Sequence, residues 1–286
     1  MPYRILWTLP YLPWPISSGG KLRQFQLIKT LAARGHEITV LAQSKYPLTP
    51  EIEAALKPHV KELIVLPRRS LTHPLSLLLA AVGHLPMLAS VNGYSKTLTR
   101  TFEQLLQTRD FDVVQVEHSY GLQPFLAVLK RLNRKFLLTE HNVESRLIPA
   151  TYQHLPALLK PYKFLDAWRY RRWEKQVLQQ ATRVAAVTRE DADVMATIAQ
   201  RPVDVVINGV DVAYYAGVQP DYRAKKILFV GNMEYPPNLD AVHLTVEQIM
   251  PLVWQTCPDA ELVVCGYGMP AEWATRWPDP RLKWKG

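Results

Sequence analysis

Residues 3–42 read YRILWTLPYLPWPISSGGKLRQFQLIKTLAARGHEITVLA. The stretch opens on an apolar, β-rich run at 3–8, passes through a proline-rich loop and reaches Ser17, Ser18, Gly19 and Gly20. A helical pattern follows, with Leu22, Phe25, Leu27, Ile28, Leu31 and Ala32 as its apolar positions; Gly35 ends it ahead of a second β-rich run at 37–42. This is a βαβ unit. The same alternation recurs outward, with β-rich runs at 62–66, 111–116, 135–139, 183–187 and 203–207 and helical patterns at 75–88, 94–107, 122–132, 161–180 and 190–199. Seven short runs, apolar at successive positions and joined by helices, predict a parallel sheet buried on both faces in a doubly wound α/β architecture. Ligands in that architecture bind beyond the carboxyl ends of the strands, so the residues just after each strand carry the functional information.

A polar and aromatic stretch at 211–225, with Gly217, Pro220 and no helical period, reads as a linker. Beyond it come a buried strand at 226–231, a helix at 239–254 and strands in AELVVCG and RLKWKG. The expected organisation is a complete Rossmann-like domain over 1–210, the linker, and an incomplete second Rossmann-like domain over 226–286. About 60 residues with three strands bury little area for a domain on its own, and the sequence reads as a fragment that stops in mid-domain. The composition fits a folded globular chain: 48% hydrophobic and 21% charged residues over 286 positions exclude disordered, collagen-like and coiled-coil classes. A net charge of +9 predicts attraction to anions without naming one. Cys257 and Cys265 form no CxxC pair, are too few for a disulfide framework or zinc site, and read as core residues in a reducing cytoplasm. Prolines at 2, 10, 13 and 15 exclude an N-terminal signal segment, and His73, Pro74, Gly83, His84 and Pro86 interrupt the apolar stretch from Leu71 to Val91 before it could span a bilayer.

Gly19 and Gly20 lie between a strand and a helix N-terminus, where free N–H groups and the absence of side chains favour a phosphate or diphosphate. The alternative is a loop that only needs positive φ. Neither GxGxxG nor GxxxxGK[ST] is present, so a dinucleotide or ATP site is not indicated. Arg23, one turn on, adds a cation. His118 follows one strand in VEHSYG, and His141 follows the next in EHNVES, each beside a carboxylate, Glu117 or Glu140. Two imidazoles at equivalent sheet ends can meet over one crevice, and with Glu140, Asn142 and Glu144 they offer the polar groups that bind a sugar or move a proton. A pair of polar-capped surface loops is the alternative; His/Glu zinc ligation is weaker still, because no third ligand has a recognisable spacing. The 162–175 segment mixes Lys163, Arg169, Arg171, Arg172 and Lys175 with Tyr162, Phe164, Trp168, Tyr170 and Trp173. It reads as a solvated helix face over a core stripe, with an anionic membrane or nucleic acid as the alternative partner.

Taken in order, GGKLRQFQLIKTLAARGHEITVLA, EHNVES, VINGVD and FVGNMEYPPNLDAV make the chain resemble a family-4 glycosyltransferase of the GT-B fold. The resemblance implies two facing Rossmann-like domains and retaining transfer of a sugar, with no cofactor and no required metal ion. It implies a UDP- or GDP-sugar as donor and a carbohydrate or lipid-linked acceptor, in polysaccharide or glycoconjugate biosynthesis. By position, His118 would reach the transferred sugar as the catalytic residue. Gly19, Gly20, Gly231, Asn232 and Asn238 would contact the donor, and Arg23, Glu140, His141, Asn142 and Glu144 the acceptor. Two departures stand out: Asn232 occupies a stretch where relatives carry Arg and Lys for the donor phosphates, and the glutamate pair that grips the donor would fall beyond Gly286, leaving a fragment inactive on its own. The expected setting is the cytoplasm, extending to peripheral contact with the inner face of an anionic membrane, without nucleic acid. The competing readings are a non-catalytic glycan- or membrane-binding module and, further off, a nicotinamide-dependent Rossmann protein.

Overall fold

The computed structural model describes residues 1–70, 72–151 and 161–286; Leu71, where the interrupted apolar stretch begins, lies outside them. The chain forms two compact units, Met1–Ile16 with Gly20–Gly209, and Ser17–Gly19 with Val210–Gly286.

In the larger unit β1 (Arg4–Leu9), α1 (Gly19–Ala33), β2 (Glu37–Ser44), α2 (Pro50–Leu56), β3 (Glu62–Pro67), α3 (Pro74–Val82), α4 (Met87–Gly93) and α5 (Lys96–Thr108) lead to β4 (Val113–Glu117). Then come α6 (Gln123–Arg131), β5 (Leu137–Glu140), α7 (Glu144–Thr151), α8 (Tyr162–Gln180), β6 (Arg183–Ala186), α9 (Arg189–Ala199) and β7 (Asp204–Val205). The seven strands form one sheet in the order β3-β2-β1-β4-β5-β6-β7, and the pairings are parallel. The order reverses between β1 and β4, so the crevice of a doubly wound sheet opens above Leu9 and Glu117.

Alternation along β1 assigns its residues to two cores. Leu6 joins Val114, Val116, Leu138 and Val184 on one face, under α5, α6, α8 and α9. Ile5, Trp7 and Leu9 join Phe25, Ile28, Ile38 and Val40 on the other, under α1 and α2. Local chemistry sets the helix ends. Thr49 caps α2 ahead of Pro50 and two acidic residues in the first turn. Thr188 caps α9 by accepting from the Asp191 amide at 3.1 Å, while its hydroxyl meets the Asp191 carboxylate at 2.9 Å.

The structure corrects several sequence expectations. The single helix expected over 75–88 is two, α3 and α4, because Gly83 takes up an extended conformation and Pro86 cannot continue a helix from the preceding turn. Helix α7, which follows the EHN turn, was not anticipated. In α8 the aromatic stripe is divided: Tyr170 and Trp173 are buried, whereas Phe164 and Trp168 are 70% and 55% exposed. Arg169 does not belong to a solvated face at all, being buried and donating to the carbonyls of Ala80 and Ala81.

The smaller unit contains α10 (Val212–Tyr215), β8 (Lys226–Val230), α11 (Pro236–Leu244), α12 (Met250–Thr256), β9 (Glu261–Cys265), α13 (Trp273–Arg276) and β10 (Leu282–Lys285). Its parallel sheet runs β10-β9-β8. The expected 239–254 helix is interrupted by a π-turn over Thr245–Ile249, where Pro251 removes a donor from the regular ladder. The 211–225 stretch is not wholly irregular: Asp211 caps the short α10, accepting from the Tyr214 amide at 3.1 Å. Cys257 and Cys265 are half-buried rather than core residues; Cys265 falls on the less covered face of β9, whose burial alternates. Among the described residues, no helix is long and apolar enough to cross a membrane.

Candidate functional site

The site grows from the ends of β1, β4 and β5. Where β4 ends, the chain passes through His118 with φ 64° and ψ 133°, a region that costs a non-glycine residue about 1–3 kcal/mol. The turn is locked because the His118 amide donates to the Thr139 carbonyl at 2.9 Å and Trp173 Nε1 donates to the Ser119 carbonyl at 3.0 Å. The imidazole is 4% exposed. It stacks on Tyr120 with centroids 4.7 Å apart and lies 4.3 Å from the His141 ring. Its Nε2 is 2.8 Å from the Tyr11 hydroxyl, which also accepts from Gln24 Nε2 at 3.2 Å; its Nδ1 is buried without a hydrogen-bond partner. Burial, reinforced by His141, holds the imidazole pKa well below its usual value, so this ring is neutral.

Glu117, 0% exposed, is fully engaged. It accepts from Trp7 Nε1 at 3.0 Å, Gln115 Nε2 at 3.3 Å and His141 Nε2 at 2.8 Å. Glu140, likewise 0% exposed, accepts from the Ser119 amide at 2.6 Å through Oε1, while Oε2 has no partner. Burial and then the neighbouring Glu144 push the Glu140 carboxyl well above the usual range. Glu144, at the start of α7, is pushed up to about 7 by burial and by Glu174, against a hydrogen bond from Asn142 that favours the charged form. Glu174, raised by burial, accepts from the Ser145 hydroxyl at 2.6 Å. His118, Glu140 and Glu144 each bring a ligand-type atom within 4.8 Å of the others, so Glu144 supplies the third member that sequence spacing did not reveal.

The remaining candidates fall into place around this cluster. Gly20 sits so close that a Cβ would lie 3.1 Å from the Tyr11 hydroxyl and 3.2 Å from His141 Nδ1, whereas a Cβ on Gly19 would meet open space. Arg23 is 7% exposed and donates to the Ile207 carbonyl and Asn208 Oδ1, each at 3.0 Å, so it ties α1 to the loop after β7. Asn142 is exposed. Three members were not singled out from sequence: Tyr11 in the proline-rich loop, Gln24 and Glu174.

In the smaller unit, Gly231 and Asn232 follow β8. Asn238 Nδ2 donates to the Asn232 carbonyl at 2.9 Å, and a Cβ on Gly231 would lie 3.0 Å from Asn238 Nδ2. Gly266, also not anticipated, has φ 140°, and a Cβ there would lie 1.8 Å from the Gly231 carbonyl oxygen. Only glycine fits.

The fold is that of the GT-B glycosyltransferases. Sucrose-phosphate synthase from Thermosynechococcus elongatus matches with TM-score 0.64 at 16% identity, over 99% of this chain and 70% of that one. A Rickettsia africae glycosyltransferase matches with TM-score 0.58 at 14% identity, over 100% and 68%. Anabaena HepE, in complex with UDP and glucose, matches with TM-score 0.54 at 14% identity, over 99% and 68%. No curated protein matches the sequence. The profile of Glycosyltransferase Family 4 matches residues 18–214, and the chain belongs to that family.

Proposed function

We propose that this glycosyltransferase moves a sugar, with retention of anomeric configuration, from a UDP- or GDP-sugar to a carbohydrate or lipid-linked acceptor in polysaccharide or glycoconjugate biosynthesis. The observation that carries the reading is the convergence of His118, Glu140, His141 and Glu144 above the β1/β4 switch point, where an α/β sheet binds its ligand. The UDP and glucose in the HepE structure support a nucleotide-sugar donor. In this reading Gly19 and Gly20 let the donor diphosphate approach the start of α1, and Gly231, Asn232 and Asn238 of a donor domain over 226–286 hold its nucleotide side. His118 faces the transferred sugar, where a neutral imidazole strengthens its contact as charge develops at the anomeric carbon. Arg23, Glu140, His141, Asn142 and Glu144 shape the acceptor side of a domain over 1–210. The protein translated from its whole reading frame, offered a panel of UDP- and GDP-sugars with glycan acceptors, should release nucleotide diphosphate; release with none of them would remove the reading.

A second reading adds peripheral contact with an anionic membrane at the cytoplasmic face. It is favoured by the exposed Phe164, Leu165 and Trp168 of α8 and the exposed Leu75, Leu77, Leu78 and Val82 of α3. Tyr162 and Arg169 of α8 bond to the Ala80 carbonyl of α3, and Lys163 and Arg172 lie over Phe164 and Trp168. Apolar side chains ringed by cations suit an anionic interface. Flotation with anionic but not neutral liposomes at low salt is expected; no flotation with either would count against it.

A further inference from the structure

Enclosed arginines in the larger unit are held by paired acceptors. Arg23 has the Ile207 carbonyl and Asn208, Arg169 the carbonyls of Ala80 and Ala81, and Arg201 those of Leu178 and Ala181. Arg68 differs. Half-buried just past β3, it donates once, from Nη1 to the Pro10 carbonyl at 3.3 Å. Its Nε is buried without a partner, as are those of Arg23 and Arg201, but Arg68 lacks their second acceptor. The titratable groups beside it are Tyr11 and Tyr120, the phenols that contact His118, and no carboxylate is among them.

The next residue extends the pattern. Arg69 Nη2 donates to the Tyr94 carbonyl at 2.7 Å, and Arg69 lines a cavity of about 280 Å3 together with Gln43, Tyr94, Ser95 and Lys96 and no acidic residue. Gln43 is 4% exposed, and its amide has no hydrogen-bond partner among the described residues. The cavity sits at the start of α5, where the Ser95 hydroxyl caps the Leu98 amide at 3.3 Å. The Lys96 and Thr97 amides precede the first intrahelical bond, from Thr99 to Ser95, and have no helical acceptor. Among the described residues, none of Arg68, Arg69 and Lys96 forms an ion pair.

We propose that Arg68, Arg69 and Lys96 form a phosphate subsite for the acceptor, which makes that acceptor a phosphate ester of a sugar or of a lipid rather than a neutral glycan. The role as acceptor site rests on the sugar-transfer reading; the anion site itself does not. A phosphate ester carries about −1.5 to −2 charge near neutrality, against −1 for a carboxylate, and so matches a cluster of cations without counter-ions. Guanidinium forks pair with phosphate oxygens in bidentate fashion. The α5 amides and dipole favour the same ligand, and the Gln43 amide adds a donor. Pairing Arg68 also relieves the cost of enclosing a charge with a single weak acceptor. The subsite is separate from the place assigned to the donor diphosphate, because α1 and α5 cover opposite faces of the sheet. Its position suits an acceptor: Pro10, which Arg68 holds, precedes Tyr11, whose hydroxyl is 2.8 Å from His118 Nε2. A phosphate anchored there would orient the acceptor toward the imidazole.

The test is a calorimetric titration of the protein translated from its whole reading frame with glucose 1-phosphate and with geranyl diphosphate, glucose and geraniol serving as uncharged controls. At least one phosphorylated probe should bind where its control does not, and the tighter of the two names the sugar or the lipid as the source of the phosphate. Arg68→Gln and Arg69→Gln should each weaken that binding roughly tenfold or more, as loss of a charge-assisted hydrogen bond does. Lys96→Gln, at an exposed position, should weaken it about threefold. Where Arg68→Gln lacks the wild-type near-UV dichroism, Arg69→Gln and Lys96→Gln decide by the same criterion. Phosphorylated probes bound no better than their controls, or bound equally by wild type and folded variants, would overturn the proposal. The titration reads no turnover: nucleotide release without phosphate binding would sink the subsite alone, and phosphate binding lost in the variants without nucleotide release from any donor would sink the transfer reading and leave the anion site standing.

Discussion

Replacing His118 by glycine and by alanine separates what its backbone does from what its imidazole does. Both changes delete the ring, its contact with Tyr11 at 2.8 Å and its stacking on Tyr120, so both should be less stable than the wild type. They differ in the backbone. At φ 64° alanine keeps a penalty of about 1–3 kcal/mol that glycine does not have. Glycine in turn loses up to about 1 kcal/mol through the greater freedom of its unfolded chain. The balance favours His118→Gly over His118→Ala by about 1 kcal/mol, or roughly 2–4 °C in unfolding temperature for a unit of this size. In transfer assays the two should be equally impaired, with kcat down by about 10²-fold and a smaller effect on donor binding. Differential scanning calorimetry beside a nucleotide-release assay reads both. Alanine as stable as glycine would refute the strained turn; near-normal kcat in either variant would refute a role for the imidazole at the reacting centre.

Glu117→Ala should be among the most damaging single changes, costing about 3–5 kcal/mol in urea denaturation, because it leaves the Trp7 and His141 donors without their carboxylate acceptor, while Gln115 keeps only Thr139 Oγ1. Gly20→Ala, whose Cβ would press on Tyr11 and His141, should cost about 1 kcal/mol or more through overpacking and raise the donor KM. Gly266→Ala places a methyl against the Gly231 carbonyl and should destabilise the smaller unit while leaving the near-UV dichroism of the larger unit's buried aromatics in place. The Arg4 guanidinium hydrogen-bonds Asp112 and holds its carboxyl below the usual range, so the contribution is present near neutrality and lost as pH falls through the depressed value. The stability difference between wild type and Asp112→Asn should therefore close in strong acid, as urea midpoints across pH would reveal.

The sheet was legible because its strands are buried on both faces and therefore read as short continuous apolar runs, each followed by a helical period. What the pattern hid was interruption within a hydrophobic stretch. Over 75–88 the apolar positions read as one helix, yet Gly83 and Pro86 separate α3 from α4; at Pro251 the regular period continues across a π-turn. Within the site, His118, Glu140, His141 and Glu144 drew notice because each follows a strand. Tyr11, Gln24 and Glu174 did not, since a tyrosine in a proline-rich loop, a glutamine inside an amphipathic helix and a glutamate in a basic helix are ordinary residues until the fold brings them together. Arg23 looked like a free cation, yet its Nη1 donates to the Ile207 carbonyl and Asn208 Oδ1, a partnership across 184 positions that no local pattern encodes.

The central claim, that the strand-end cluster serves retaining transfer from a nucleotide-sugar, is tested most directly by proton NMR of the first product formed by the protein translated from its whole reading frame with its preferred donor and acceptor. The account predicts a new glycosidic bond with the same anomeric configuration as the donor, lost in parallel with kcat in His118→Ala. A product of inverted configuration, or no glycoside with any UDP- or GDP-sugar, would contradict it.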